Sequence, residues 1–232
     1  MLRPTSIGGP VPLRRWKLTE ASPVRVALVG GAAGPLGGDD LRLHVDVGAG
    51  ASLVLKGVAA TLVLPGPHGQ ASSSEVSLRV GAGATLVWLP GPVIAAAACS
   101  HRAVTRIELA PGARLLAREQ LVLGRHGERP GALRQRLRVT IGARPLHDQE
   151  LRVGPESPGW DGAAVTGGRR ALGSVVVVDP AWADSDGPAL PAVASSADVA
   201  RLPLDGPAVL VTALAPDMVT LRERLETAVA GL

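Results

Sequence analysis

The sequence predicts a mainly β protein of stacked, solenoid-like or layered antiparallel sheets, with one or two short helices that include one at the C-terminus. Three observations carry this expectation. A strand–turn–strand phrase recurs along the chain, short segments alternate apolar and polar residues, and Gly and Pro are abundant, at 29 and 20 of 232 residues. That much Gly and Pro suits many short strands joined by turns. Disordered chains share the feature but are poor in Leu, Ile and Val, in which this chain is rich. With no Phe, no Tyr and four Trp, aliphatic and small side chains must fill the core.

Residues 41–47 (LRLHVDV) alternate with the period of a half-buried strand. Gly48-Ala49-Gly50-Ala51 follows, then SLVL at 52–55. The phrase returns at 76–88 (VSLRV, Gly81-Ala82-Gly83-Ala84, TLVW) and more loosely at 107–117 (IEL, Ala110-Pro111-Gly112-Ala113, RLLA). A faint fourth copy occupies 139–146 (VTI, Gly142-Ala143-Arg144-Pro145, L). With Gly50, Gly83, Gly112 and Arg144 as equivalents, the steps are 33, 29 and 32 residues. Glycine supplies the positive φ such a turn needs, and the Ala beside it lets turns stack. Each unit leaves apolar faces that only its neighbours can cover. No helical pattern separates the strands, which argues against βαβ units.

The chain reads as one domain over 1–232, with the repeats at about 27–153, a loop at about 154–173, and C-terminal strands and a helix at about 174–232. Residues 174–179 (SVVVVD) read as a fully buried strand, 183–206 as a polar connection, and 208–214 (AVLVTAL) as the last strand. A terminal helix is expected over about 216–230, with Pro216 at its first position and Asp217 favourable to its dipole. Met218, Leu221, Leu225, Ala228 and Val229 form its apolar stripe, and Gly231 closes it.

The net charge of +4 is divided unevenly. Residues 1–152 carry 17 Arg and 2 Lys against 4 Asp and 6 Glu, whereas 153–232 carry 5 Arg against 7 Asp and 3 Glu. The arginines are scattered through strand-like segments, without runs and without aromatics for base stacking, so a basic face for an acidic protein partner fits better than nucleic acid. The single cysteine, Cys99, excludes an intrachain disulfide and fits a reducing compartment. Met1-Leu2-Arg3-Pro4 leads into no apolar leader segment, and the longest apolar stretch, 86–99, contains Pro90 and Pro92 and is too short to span a bilayer. The expected location is cytoplasmic.

Catalytic and ligand motifs are sparse. The segment 30–38 (GGAAGPLGG) contains neither G-x-G-x-x-G nor a following Gly-Lys-Ser/Thr, and reads as a tight turn before a strand. Cys99 and His101 would share a strand face, but no second Cys or paired His completes a metal site, and His44, His68, His126 and His147 are dispersed. There is no G-x-S-x-G, and no acid–base pair can be named from spacing. A β-solenoid enzyme of unknown substrate and a basic nucleic-acid-binding module stay as the alternatives. Turnover of a small substrate would favour the first, and salt-sensitive binding to a mixed duplex the second.

Several phrases nevertheless occur in an ordered series: Gly37-Gly38-Asp39, then Val58-Ala59-Ala60-Thr61-Leu62, Leu86-Val87-Trp88-Leu89-Pro90 with Ile94, Glu119, and Gly124-Arg125-His126-Gly127-Glu128. In order and spacing over about 27–153 this series resembles the UreD (UreH) family of urease accessory proteins, in its short actinobacterial form. Val58, Leu62 and Val87 stand where the family has Gln, Lys and Glu, and Gly91-Pro92 where it has Gln-Glu, so polar groups that would line a conduit or meet partners are apolar here. The resemblance implies a non-enzymatic scaffold for urease maturation. Such a protein binds UreF and, through it, joins the GTPase UreG on apo-urease, as a dimeric complex formed through UreF. No cofactor is held stably; Ni²⁺ passes in transit. Weak oxygen sites suit transit better than a closed tetrahedral cage. Asp39, Glu119 and Glu128 match the family's acidic pattern and are the candidate carboxylates of a nickel path, each expected at or beside a strand-to-turn junction. Each also has a structural reading, in which it accepts turn N–H groups (Asp39) or pairs with Arg118, Arg125 or Arg129.

Overall fold

In the computed structural model the described residues are 23–31, 33–183, 186–187, 189, 191–230 and 232. The expectations for Met1-Leu2-Arg3-Pro4 and Gly231, and Ala32 within the 30–38 segment, lie outside them. In chain order the elements are β1 (Val24–Leu28), β2 (Asp40–Val47), β3 (Ser52–Gly57), β4 (Thr61–Val63), β5 (Ser72–Val80), β6 (Thr85–Leu89), β7 (Val93–Ala95), β8 (Ser100–Leu109), β9 (Arg114–Leu123), β10 (Ala132–Ile141) and β11 (Arg144–Val153). There follow β12 (Ala171–Val178), a 3-10 turn (Pro180–Ala183), β13 (Ala194–Ser195), β14 (Val199–Pro203), β15 (Ala208–Ala215) and the helix α1 (Met218–Ala230).

The repeat steps are the rungs of a solenoid. One sheet stacks β2, β5, β8 and β10 in parallel, and Val47 pairs with Val80, Val80 with Leu109, and Leu109 with Ile141, reproducing the steps of 33, 29 and 32 residues. The facing sheet stacks β1, β3, β6 and β9, also in parallel. At each Gly-Ala turn the chain passes from one sheet to the other, and Gly50, Gly83 and Gly112 have φ of +67°, +63° and +77°. The corners stack so closely that a Cβ on Gly81 would lie 2.7 Å from the Ala49 nitrogen. A larger residue at that corner would push the rungs apart.

The fourth copy turns differently. Gly142 occupies the rung position of Ala110, donating its N–H to Leu109 O at 2.8 Å, and it carries the positive φ (+57°) two residues earlier than the other copies. Arg144 stands where they have glycine, and an Arg resists the left-handed region. The chain therefore doubles back as a hairpin, and β11 pairs antiparallel with β10 in the same sheet. The other sheet also changes sense at its far side, where β12, β15, β14 and β13 add in antiparallel order beyond β9. Both sequence-level architectures are thus present, the stacked one in the repeats and the antiparallel one after them. The stretch expected as a polar connection at 183–206 carries β13 and β14, and β12 begins at Ala171, inside the stretch expected as loop.

Three apolar clusters hold the molecule. Leu55, Leu78, Leu86, Ile107, Leu115 and Val139 pack between the sheets at the corner end. Val63, Cys99, Leu121, Leu133 and Val153 pack at the opposite end. On the outer face of the β12-bearing sheet, Val54, Val87, Leu116, Val175 and Val211 lie beneath Leu221 and Leu225 of α1, with Met218, Ala228 and Val229 packed alongside. Each fully buried Leu contributes roughly 1.5–3 kcal/mol. The helix settles onto Gly173, where an added Cβ would lie 2.7 Å from Leu225 Cδ1. Asp217, not Pro216, starts the helix: its Oδ1 accepts the Thr220 N–H at 2.8 Å, an N-cap geometry that leaves Pro216 outside. Among the described residues no helix is long and apolar enough to cross a membrane.

Candidate functional site

Alternation along the strands decides what faces the space between the sheets. In β9, Leu115 and Ala117 belong to the corner-end cluster and Leu121 to the opposite one, so Glu119 points inward between two apolar layers. The same break in apolar filling recurs on the facing sheet. β5 presents Ser72 and Ser74 before Val76 and Leu78, β8 presents His101 and Thr105 before Ile107, and β10 presents Gln135 between Leu133 and Leu137. The result is a polar middle storey in an otherwise aliphatic interior.

Two cavities meet at that storey. One, of about 570 Å³, begins at the first rung (Leu28, Leu41, Leu43) and is walled by Val58, Ala59, Ala60, Thr61, Trp88, Pro90 and His101. The other, of about 230 Å³, lies toward the last rungs and is lined by Gln149, Leu151, Ser174, Thr212 and the loop residues Ala164 and Val165. Glu119, Gln120 and Gln135 line both. Gln135 Nε2 donates to Glu119 Oε2 at 2.8 Å, and the Thr105 hydroxyl also bonds this carboxylate. Burial nevertheless outweighs both and pushes the Glu119 pKa up. Around it, Gln135 Oε1 and Trp88 Nε1 are buried without a protein partner. Orphaned polar atoms of this kind belong where water or a polar guest is received. His101 is held by Ser72 Oγ on Nδ1 at 2.8 Å and by Ser74 Oγ on Nε2 at 3.1 Å, and burial lowers its pKa to about 4, so the ring is neutral.

The three candidate carboxylates are not brought together. Glu119 lies in the middle of β9, not at a strand-to-turn junction, and it does not pair with Arg118, whose side chain lines a pocket beside α1. Asp39 sits in the turn before β2, where its Oδ2 accepts the Leu36 N–H at 2.8 Å. Its neighbour Gly37 packs against Gly66 and Gln70, with a Cβ there only 2.3 Å from Gln70 O, and Gly38 has φ +97°. Glu128 closes the turn after β9. Its Oε1 accepts the Arg125 N–H and Nε, each at 2.8 Å, and the Ala97 N–H at 3.2 Å. Those bonds, the Arg125 side chain first, hold its pKa down at about 2. Gly124 and Gly127 supply the turn's positive φ, +77° and +76°.

Of the positions that depart from the family pattern, Val58 lines the wider cavity, but Val87 is fully buried beneath α1 and Leu62 is half-buried in β4. Gly91 is required by close packing, since a Cβ would lie 1.8 Å from Ala59 O. Cys99, in the far apolar cluster, and His101, between two serines, do not converge on a shared ligand, and among the described residues no group of three or more His, Cys, Asp or Glu could hold a metal ion. Four arginines are paired with carboxylates on the outer face of the β8-bearing sheet, as Arg79–Glu108, Arg106–Glu75, Arg136–Asp148 and Arg152–Glu150. Gln135, Thr105 and His101 were not marked by any sequence motif. The signal that would have found them is the run of polar residues at inward strand positions in successive rungs.

The chain matches the family model described as UreD urease accessory protein over residues 4–232. It is 47% identical over 227 residues to urease accessory protein UreD 3 of Streptomyces griseus, covering 97% of this chain and 87% of that protein. Urease accessory protein UreD of Streptomyces avermitilis is also 47% identical, over 225 residues that cover 97% of this chain and 88% of that protein. Urease accessory protein UreD 2 of Saccharopolyspora erythraea is 43% identical over 224 residues, covering 95% and 78%.

Proposed function

The chain belongs to the UreD family of urease accessory proteins, and from that premise we propose that it is a urease maturation factor, a non-enzymatic scaffold that acts with UreF and the GTPase UreG on apo-urease in the cytoplasm. In this reading Ni²⁺ is cargo, and the space between the two sheets is its route. The supporting observation is Glu119, an inward-facing carboxylate that lines both cavities.

The chemistry of the polar storey suits transit. Burial disfavours the ionised form of Glu119 and raises its pKa, and the bonds from Gln135 and Thr105 offset part of that cost. A divalent cation arriving at the carboxylate replaces any proton held there and is met by the oxygens of Gln135, Thr105 and Ser174. Such neutral oxygens hold a borderline metal weakly, and the neutral His101 ring is already engaged by two serines, so no tight nitrogen or sulfur cage traps the ion.

The test replaces Asp39, Glu119 and Glu128 by Ala one at a time and measures assembly with apo-urease and the nickel content of the urease produced. Glu119→Ala is expected to assemble and to yield nickel-poor urease. Asp39→Ala and Glu128→Ala are expected to act through the folding of their turns, and so on assembly. If all three variants either activate urease normally or fail to assemble, the route does not run past these carboxylates.

A further inference from the structure

Beyond the inter-sheet space, a separate pocket of about 340 Å³ lies on the outer side of β3, β6 and β9, between α1 and the turns at 58–60 and 90–92. Lys56, Arg118 and Arg222 line it, with Glu226 as its one acidic residue. Lys56 and Arg118 rise from the same sheet face, and Arg222 and Glu226 come from one side of the helix, four residues apart. Among the described residues none of these three cations forms an ion pair with a carboxylate, although twelve arginine–carboxylate pairs are present. Arg118 Nε is buried and has no hydrogen-bond partner.

That arrangement is costly as it stands. Burial and the neighbouring Arg222 both disfavour the charge on Arg118, and Glu226 offsets them only in part. A buried guanidinium N–H without an acceptor loses its hydration and gains nothing in exchange. One buried, unsatisfied guanidinium donor beside two further cations is relieved by an anion that offers two oxygens to an arginine fork. The rest of the wall is Val58, Ala59, Leu89, Pro90 and Pro92, so the guest's body should be apolar. Inorganic phosphate presents oxygens on every side and would leave several facing this wall.

We propose that the pocket between α1 and the 58–60 and 90–92 turns binds an organic carboxylate, with its oxygens on Arg118 and Arg222 and a short apolar stem against Val58, Leu89 and Pro90. The carboxylate belongs either to a free acid or to an acidic side chain carried by a protein. The proposal does not rest on the maturation reading, because it concerns a different face of the sheet and different residues.

The experiment follows the thermal midpoint of the full chain at constant ionic strength while sodium chloride is exchanged for propionate, for N-acetylglutamate α-amide or for phosphate. A saturable rise in Tm is expected with the two carboxylates, half-complete at about 1–10 mM, as befits a small, weakly held anion. Phosphate should do no better than chloride. A stronger response to the glutamate derivative assigns the pocket to a protein-borne carboxylate, and an equal or stronger response to propionate assigns it to a free acid. Arg222→Met, on the exposed side of α1, and Arg118→Met should each weaken the response at least about tenfold, the loss of one charge-assisted hydrogen bond. A response no greater than that to chloride, or one that survives Arg222→Met, overturns the proposal.

Discussion

Glu119 and Glu128 stand at the middle of one strand and just past its end, and they face opposite physical problems. Glu119 is enclosed between two sheets, its two hydrogen bonds do not repay its lost hydration, and its pKa rises. Glu128 receives two backbone N–H groups and the Arg125 side chain in a glycine-shaped turn, and its pKa falls to about 2. The turn is built around an ionised carboxylate. The interior works against one. Two glutamates nine positions apart therefore do not share a physical role.

The largest expected effect breaks the interior half of the comparison at its mouth. Gly91→Ala places a Cβ 1.8 Å from Ala59 O, which the backbone cannot absorb without moving. Since Ala59, Pro90 and Gly91 all wall the wider cavity, the variant should lose about 3 kcal/mol or more in a denaturant titration, or fail to fold. Near-normal stability would mean that this wall yields freely.

Next in size is the pH dependence set by Glu119. Its folded pKa lies above the ordinary 4.5, so the folded state binds the extra proton, and stability falls as pH rises from 4.5 through the folded pKa. Glu119→Gln removes that term. The variant should therefore gain on the parent as pH rises through this window, at up to about 1.4 kcal/mol per pH unit, read from chemical denaturation at several pH values. A constant difference between variant and parent would show that Glu119 titrates like an exposed acid.

The smallest effect lies in the turn and has the opposite sign. Glu128 has a depressed folded pKa, so its stabilisation is present above 4.5 and is lost as pH falls toward about 2. Glu128→Ala should lower the thermal midpoint at neutral pH and converge on the parent near pH 2. His101 adds to the parent's acid sensitivity at a higher pH. Its folded pKa of about 4 means that stability declines as pH drops from 6.5 toward 4, when the unfolded chain takes up the proton first. A midpoint for Glu128→Ala that parallels the parent at every pH would sink the turn account.

The rungs were legible in the sequence because their cause is local. Glycine at a fixed place in each corner sets a turn, alternation sets which side chains face inward, and equal phrases at 33, 29 and 32 residues can satisfy one another only by stacking in that register. The α1 stripe was readable for the same reason, although the cap fell on Asp217 where Pro216 was expected to begin the helix. β13 and β14 were missed. They are short segments, β13 of two residues and β14 ending in Pro203, whose strand character comes from pairing, β14 with β15 and β13 with β14, and such pairing overrides weak propensity. Tertiary structure alone decided the site. Gln135 and Thr105 reach Glu119 from two strands of the facing sheet, and Ser72 reaches His101 from a neighbouring rung, contacts that no spacing along one strand encodes. It also separated three similar carboxylates by environment, since burial and hydrogen bonding, which fix a carboxyl's charge, depend on what the rest of the chain packs around it.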